Sequence, residues 1–209
     1  MRNASNSLKF LVEHRIGYDG NPDYDIKVDA PVEGFEVLAR WLYTGQIEDA
    51  DEDIESGETE QDHVVKLCKA YKAGTRLSIG SAFLDALMDK IIDIMTDEDG
   101  DDDILNEKFQ VDQILPDMLA AFPAGSPTRK FAVDWLVHME LNVDDEAMSD
   151  EDALRYVRED EDFCQMLGAE FLAQKVGNSE EPGWKFESCP YHVHHLHGQN
   201  CYRADEEAR

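Results

Sequence analysis

Apolar residues recur along this chain in stripes at helical spacing, and most stripes carry their own start or stop signal. Phe35, Leu38, Ala39 and Leu42 fall at i, i+3, i+4 and i+7, which puts them on one helix face, and Gly45 supplies the left-handed stop. Val64, Val65, Leu67, Cys68 and Tyr71 form a second stripe, closed by Gly74. Phe83, Leu84, Leu87, Met88, Ile91, Ile92 and Met95 form a third, in adjacent pairs that widen the face so that it can cover more than one neighbour. Val111, Ile114, Leu115, Met118, Leu119 and Phe122 continue the pattern, with Pro116 in their midst predicting a kink or a helix that starts there. Ser126-Pro127 predicts a helix start, since serine caps and proline suits the first helical position; the helix it opens carries Phe131, Val133, Trp135, Leu136 and Met139. Ser149 with Asp152 predicts a capped segment over 153–158. Phe163, Met166, Leu167, Phe171 and Leu172 make a last stripe that stops at Gly177. Only Ile26 and Val28, alternating with Lys27 and Asp29, carry the period-two pattern of a short half-buried strand. The expected class is therefore mainly α, formally α+β.

The order of these elements, and the residues FEVLARWLYTGQI followed by LCKAYKAGTRLSIGSAFLDALMDKIIDIM, resemble the second half of a BTB/POZ domain of the type common in fungal proteins. The block Ser5-Asn6-Ser7-Leu8-Lys9-Phe10-Leu11 looks like that domain's second helix, so the chain is expected to begin inside the domain, without its first strand hairpin and first helix. Those elements supply much of the family's homodimer contact, which leaves weak self-association as the expectation here. Ser126-Pro127-Thr128-Arg129-Lys130-Phe131-Ala132-Val133-Asp134 is similar to the block that follows the BTB unit in fungal members. The resemblance implies a module that binds other proteins, and in several BTB families the face around the Trp-Leu-Tyr-Thr-Gly helix contacts a cullin scaffold, making the protein a substrate adaptor for a ubiquitin ligase. Tyr43 is the contact residue this carries over; the bottom-up alternative is an aromatic packed into the core at a helix end.

Charge changes the list of partners. Of 209 residues, 47 are Asp or Glu and 19 Lys or Arg, a formal charge of −28, so a nucleic acid or an anionic lipid surface would meet repulsion where it usually gains from counterion release. No nucleic acid and no membrane are expected as partners. The start of the chain lacks the apolar core of a signal peptide, and no window approaches the length of a membrane span; a cytoplasmic or nuclear location is expected. The acid is concentrated in 48–62, with nine acidic side chains and no basic one, and in 97–103, with six of seven. Such runs repel themselves and are expected as solvated loops. A calcium loop over the second run fails on position, because placing Gly100 sixth puts Met95 first and Asn106 twelfth. The predicted organisation is a partial BTB unit at 1–96 with an acidic loop at 48–62, an acidic linker at 97–108, a helical extension at 109–177 and a Cys/His tail at 178–209.

That tail, CPYHVHHLHGQNCY from 189 to 202, holds the densest chemistry. Cys189, His192, His194, His195, His197 and Cys201 place six soft or borderline ligands within thirteen positions, and zinc prefers four such nitrogens and sulfurs in a tetrahedron. Cys189, His192, Cys201 and one of His194 or His197 are the candidate ligands; a comparable Cys, Tyr-His-x-His, Cys tail in fungal BTB proteins favours His194. The bland alternative is a polar tail with a satisfied or solvated histidine cluster, or a disulfide between Cys189 and Cys201. Cys68 and Cys164, inside apolar stripes, are not expected in disulfides. His14, His63 and His138 read as surface or packing residues. A metal-dependent hydrolase is the remote alternative, since His192-x-His194-x-x-His197 overlaps a dinuclear-metal pattern, but Leu196 stands where the second metal needs an aspartate. With no phosphate loop, Gly-x-Ser-x-Gly elbow or His-Glu-x-x-His, no enzyme is expected. The remaining readings are an interaction module of BTB type and a small zinc-binding scaffold with no ubiquitin role.

Overall fold

A computed structural model describes residues 31–47, 59–96, 109–142, 158–175 and 190–197. Among them lie the helices α1 (Val32–Thr44), α2 (Glu60–Arg76), α3 (Ser81–Thr96), α4 (Val111–Ala121), α5 (Pro127–Asn142) and α6 (Glu161–Lys175), and a short 3-10 turn, Val193–His197. The mainly α expectation holds over these residues, which include no strand; the strand expected at Ile26 and Val28, and the capped segment at 153–158, lie outside them for all or most of their length.

Helix ends follow local chemistry. Gly45 adopts the left-handed conformation (φ 75°) and its N–H donates to the Trp41 carbonyl at 2.7 Å, as its position predicts. At the start of α2, the Thr59 hydroxyl accepts from the Asp62 N–H at 3.1 Å while an Asp62 carboxylate oxygen accepts from the Thr59 N–H at 3.0 Å, a reciprocal cap. The Thr59 hydroxyl and N–H together hold the Asp62 carboxyl below its ordinary range. The acidic run therefore does not stay a loop to its end: Glu60 and Asp62 sit in the first turn of α2, where the helix dipole favours negative charge.

Two sequence expectations are corrected here. Gly74 does not close α2, which runs on to Arg76; the stop is Ser78 in the left-handed region (φ 53°), with its N–H donating to Thr75 O and the Ile79 N–H to Gly74 O at 2.9 Å. Gly74 is instead a packing residue, since a Cβ there would lie 2.9 Å from the Phe83 ring and the Leu84 side chain of α3. Pro116 does not start a helix either: α4 begins at Val111 and continues through it. Ser126 and Pro127 open α5 as expected, the Ser126 hydroxyl accepting the Arg129 N–H at 3.1 Å.

One apolar core joins all of these elements. α2 packs on α1, α3 and α4, and α5 on α4 and α6. Trp41 meets Phe83 at 4.9 Å between ring centroids, and Tyr71 meets Phe122 edge-on at 5.2 Å. Every residue from 131 to 137 is buried, the mark of a helix surrounded on all sides. Cys68 is buried and Cys164 exposed, both as free thiols; the expectation that Cys164 lies within an apolar face is corrected, and Leu172 of the same stripe is also exposed.

The approach of α1 to α2 depends on one missing side chain. A Cβ on Gly34 would stand 2.4 Å from the Lys69 carbonyl oxygen and 2.7 Å from the Ala70 nitrogen, backbone atoms that cannot rotate away. Gly34→Ala is expected to destabilise the protein by about 1–3 kcal/mol through forced separation of the helices, despite alanine's helix propensity. Gly168→Ala in α6, where nothing lies within 4 Å, is expected to gain about 0.4–1 kcal/mol. Urea denaturation of the two variants should give shifts of opposite sign.

Candidate functional site

The wide apolar stripe of α3 carries two acids. Asp85 and Asp89, one helical turn apart on the same face, are only 1% and 9% exposed, where a carboxylate is costly unless donors meet it. The donors come from residues more than a hundred positions away. Asp85 Oδ1 accepts the Val193 backbone N–H at 2.7 Å, Asp85 Oδ2 lies 2.8 Å from His194 Nδ1, and Asp89 Oδ1 lies 2.8 Å from His192 Nε2. The two imidazoles stand edge to face with centroids 5.3 Å apart, each 1% exposed.

A third acid anchors the same segment from α5. The Tyr191 hydroxyl donates to Asp134 Oδ2 at 2.8 Å, and Lys130, one turn before Asp134, contacts the same carboxylate at 2.5 Å. The Tyr191 ring meets Phe131 edge-on at 5.3 Å. Three polar residues of the 126–134 block thus have definite tasks: Arg129 binds the end of α4, and Asp134, paired with Lys130, receives Tyr191. Burial, with the Asp85 carboxylate adding to it, pushes the Tyr71 phenol up to about 12.

The sequence-derived ligands separate into two groups. His192 and His194 come together in the core with Asp85, one ligand atom from each lying within 4.8 Å of the others. Cys189, Cys201 and the side chain of His197 lie outside the described residues. Of the alternative of a satisfied or solvated histidine cluster, the solvated form is corrected for His192 and His194, which are buried, and the satisfied form is what the structure has: Asp89 and Asp85 are their polar partners. Sequence reasoning missed Asp85, Asp89 and Asp134 among so many acids; the available signal was an acid recurring at i+4 inside an otherwise apolar stripe.

Tyr43 is 86% exposed at the end of α1, so the core-packed alternative for it is corrected. Val32, 70% exposed, lies with it on the outer side of the helix, opposite Gly34 and Leu38, while Phe35, one turn before Leu38, is 40% exposed. Phe35 had been expected to be covered with Leu38; it is 40% exposed where Leu38 is fully buried, so the covered face of α1 is narrower than the apolar stripe. No helix among the described residues is long and apolar enough to cross a membrane. Comparison with protein-family models, with curated proteins and with solved structures finds no match, and the case for a function rests on the chain's own residues.

Proposed function

We propose that this chain is a protein–protein interaction module of BTB/POZ type, acting in the cytoplasm or nucleus as an adaptor that brings a cullin-type ubiquitin ligase scaffold to a substrate. The observation that carries this reading is the exposure of Tyr43, on the same outer face of α1 as exposed Val32. An aromatic with an apolar body and a hydroxyl tip, standing off a rigid helix, suits a binding hot spot. The acidic surplus favours a partner with a basic rim. Burial of His192 and His194 leaves a substrate no access to their rings, which favours a structural over a hydrolytic role for the tail.

Tyr43→Ala is expected to change folding stability by less than about 0.5 kcal/mol, as an exposed substitution, while weakening partner binding by about 2 kcal/mol or more. Pull-down of purified cullins by the full chain, followed by titration calorimetry on both forms, checks it. Failure of the wild-type chain to retain any cullin would remove the ligase role; equal binding by wild type and variant would remove Tyr43 from the interface.

A further inference from the structure

Two buried carboxylates facing two buried imidazoles form a donor set of the kind that holds a metal ion. We propose that Asp85, His192 and His194 bind one zinc ion, which locks residues 190–197 onto α3. The inference is independent of the adaptor reading. One ligand atom from each of the three residues lies within 4.8 Å of the others, and all three residues are buried. Two imidazole nitrogens and a carboxylate oxygen are a set that zinc accepts.

Asp89 has a different part. Its carboxylate, 2.8 Å from His192 Nε2, fixes the ring so that zinc coordinates through Nδ1, the outer-carboxylate arrangement typical of metal-bound histidine. Asp89 is therefore a positioning residue. A divalent cation would also sit beside the carboxylates of both Asp85 and Asp89, which the core holds next to the imidazoles. Closed burial makes the site structural, holding a segment in place.

The test uses the full chain purified without chelators, assayed for metal by elemental mass spectrometry, then stripped and titrated with zinc. About one zinc per chain is expected, with a rise in thermal midpoint and slower amide exchange over 190–197 when zinc is restored. His192→Ala/His194→Ala and Asp85→Asn should lose stoichiometric zinc. Asp89→Asn should keep one-to-one binding but weaken it by about 10- to 100-fold, an effect on affinity that a merely structural role for Asp89 would not produce. Because some variants could unfold, the wild-type chain is also loaded with cobalt(II), whose visible d–d bands should show tetrahedral coordination. A stripped wild-type chain whose stability and exchange do not respond to zinc would overturn the proposal. So would zinc retained at full affinity by His192→Ala/His194→Ala, since that would put the ion on other ligands.

Discussion

Arg129→Ala should remove about 2–3 kcal/mol of folding stability, because the truncation leaves the carbonyls that end α4 and the carboxylate that caps α6 without their donor. Arg129 is 3% exposed. Its Nη1 donates to the carbonyls of Leu119 and Phe122, each at 2.8 Å, which satisfies orphan acceptors at the end of α4. Its Nη2 binds the Asp160 carboxylate, and the other oxygen of that carboxylate accepts the Phe163 N–H at 3.0 Å, capping α6. The guanidinium also lies over the Phe163 ring, 5.9 Å from its centroid. Burial pushes the Arg129 pKa down from its ordinary value, yet an arginine starts so high that it keeps its charge at neutral pH. Arg129→Lys should recover only part of the loss, since an ammonium cannot present two nitrogens in a fixed fork. Urea denaturation of the three forms decides it; a loss below about 1 kcal/mol for alanine would show that water replaces the guanidinium at little cost.

Phe131→Ala should cost about 3–5 kcal/mol, the range for emptying a buried aromatic site, and should also loosen the tail. Phe131 is fully buried on α5, and its ring supports Tyr191 from the edge, a pairing worth about 0.5–1.5 kcal/mol beyond area alone. Without it, Tyr191 keeps its hydrogen bond to Asp134 but loses the surface that positions the ring. Amide exchange over 190–197 should therefore rise by more than the global loss of stability explains. Tyr191→Phe is the comparison: it keeps the ring and removes only the hydroxyl, and should cost about 1.5–3 kcal/mol, as expected for a hydrogen bond to a charged acceptor. If Phe131→Ala lowers global stability while exchange in the tail rises only in proportion, the segment is held by its polar contacts to α3 and α5 and not by the Phe131 ring.

What the sequence alone determined were features encoded within one or two helical turns. The mainly helical class, the left-handed stop at Gly45, the start at Ser126-Pro127 and the apolar stripes of α2 to α5 were all legible, because periodicity and capping depend on neighbours three or four residues away. The chemistry of the tail was legible only as a density of ligands. Tertiary structure alone decided which of those ligands enter the core and what they meet there. Asp85 and Asp89 look like any other acids in a chain with so many, and their partners lie 109 and 103 positions away. The same limit explains Gly74, which has the local form of a helix stop but serves as a seat for Phe83, and Tyr43, whose exposure follows from the side on which Gly34 lets α1 approach α2. Periodicity says which residues share a face; only docking says what covers that face, and a buried carboxylate is tolerated only where docking brings it donors.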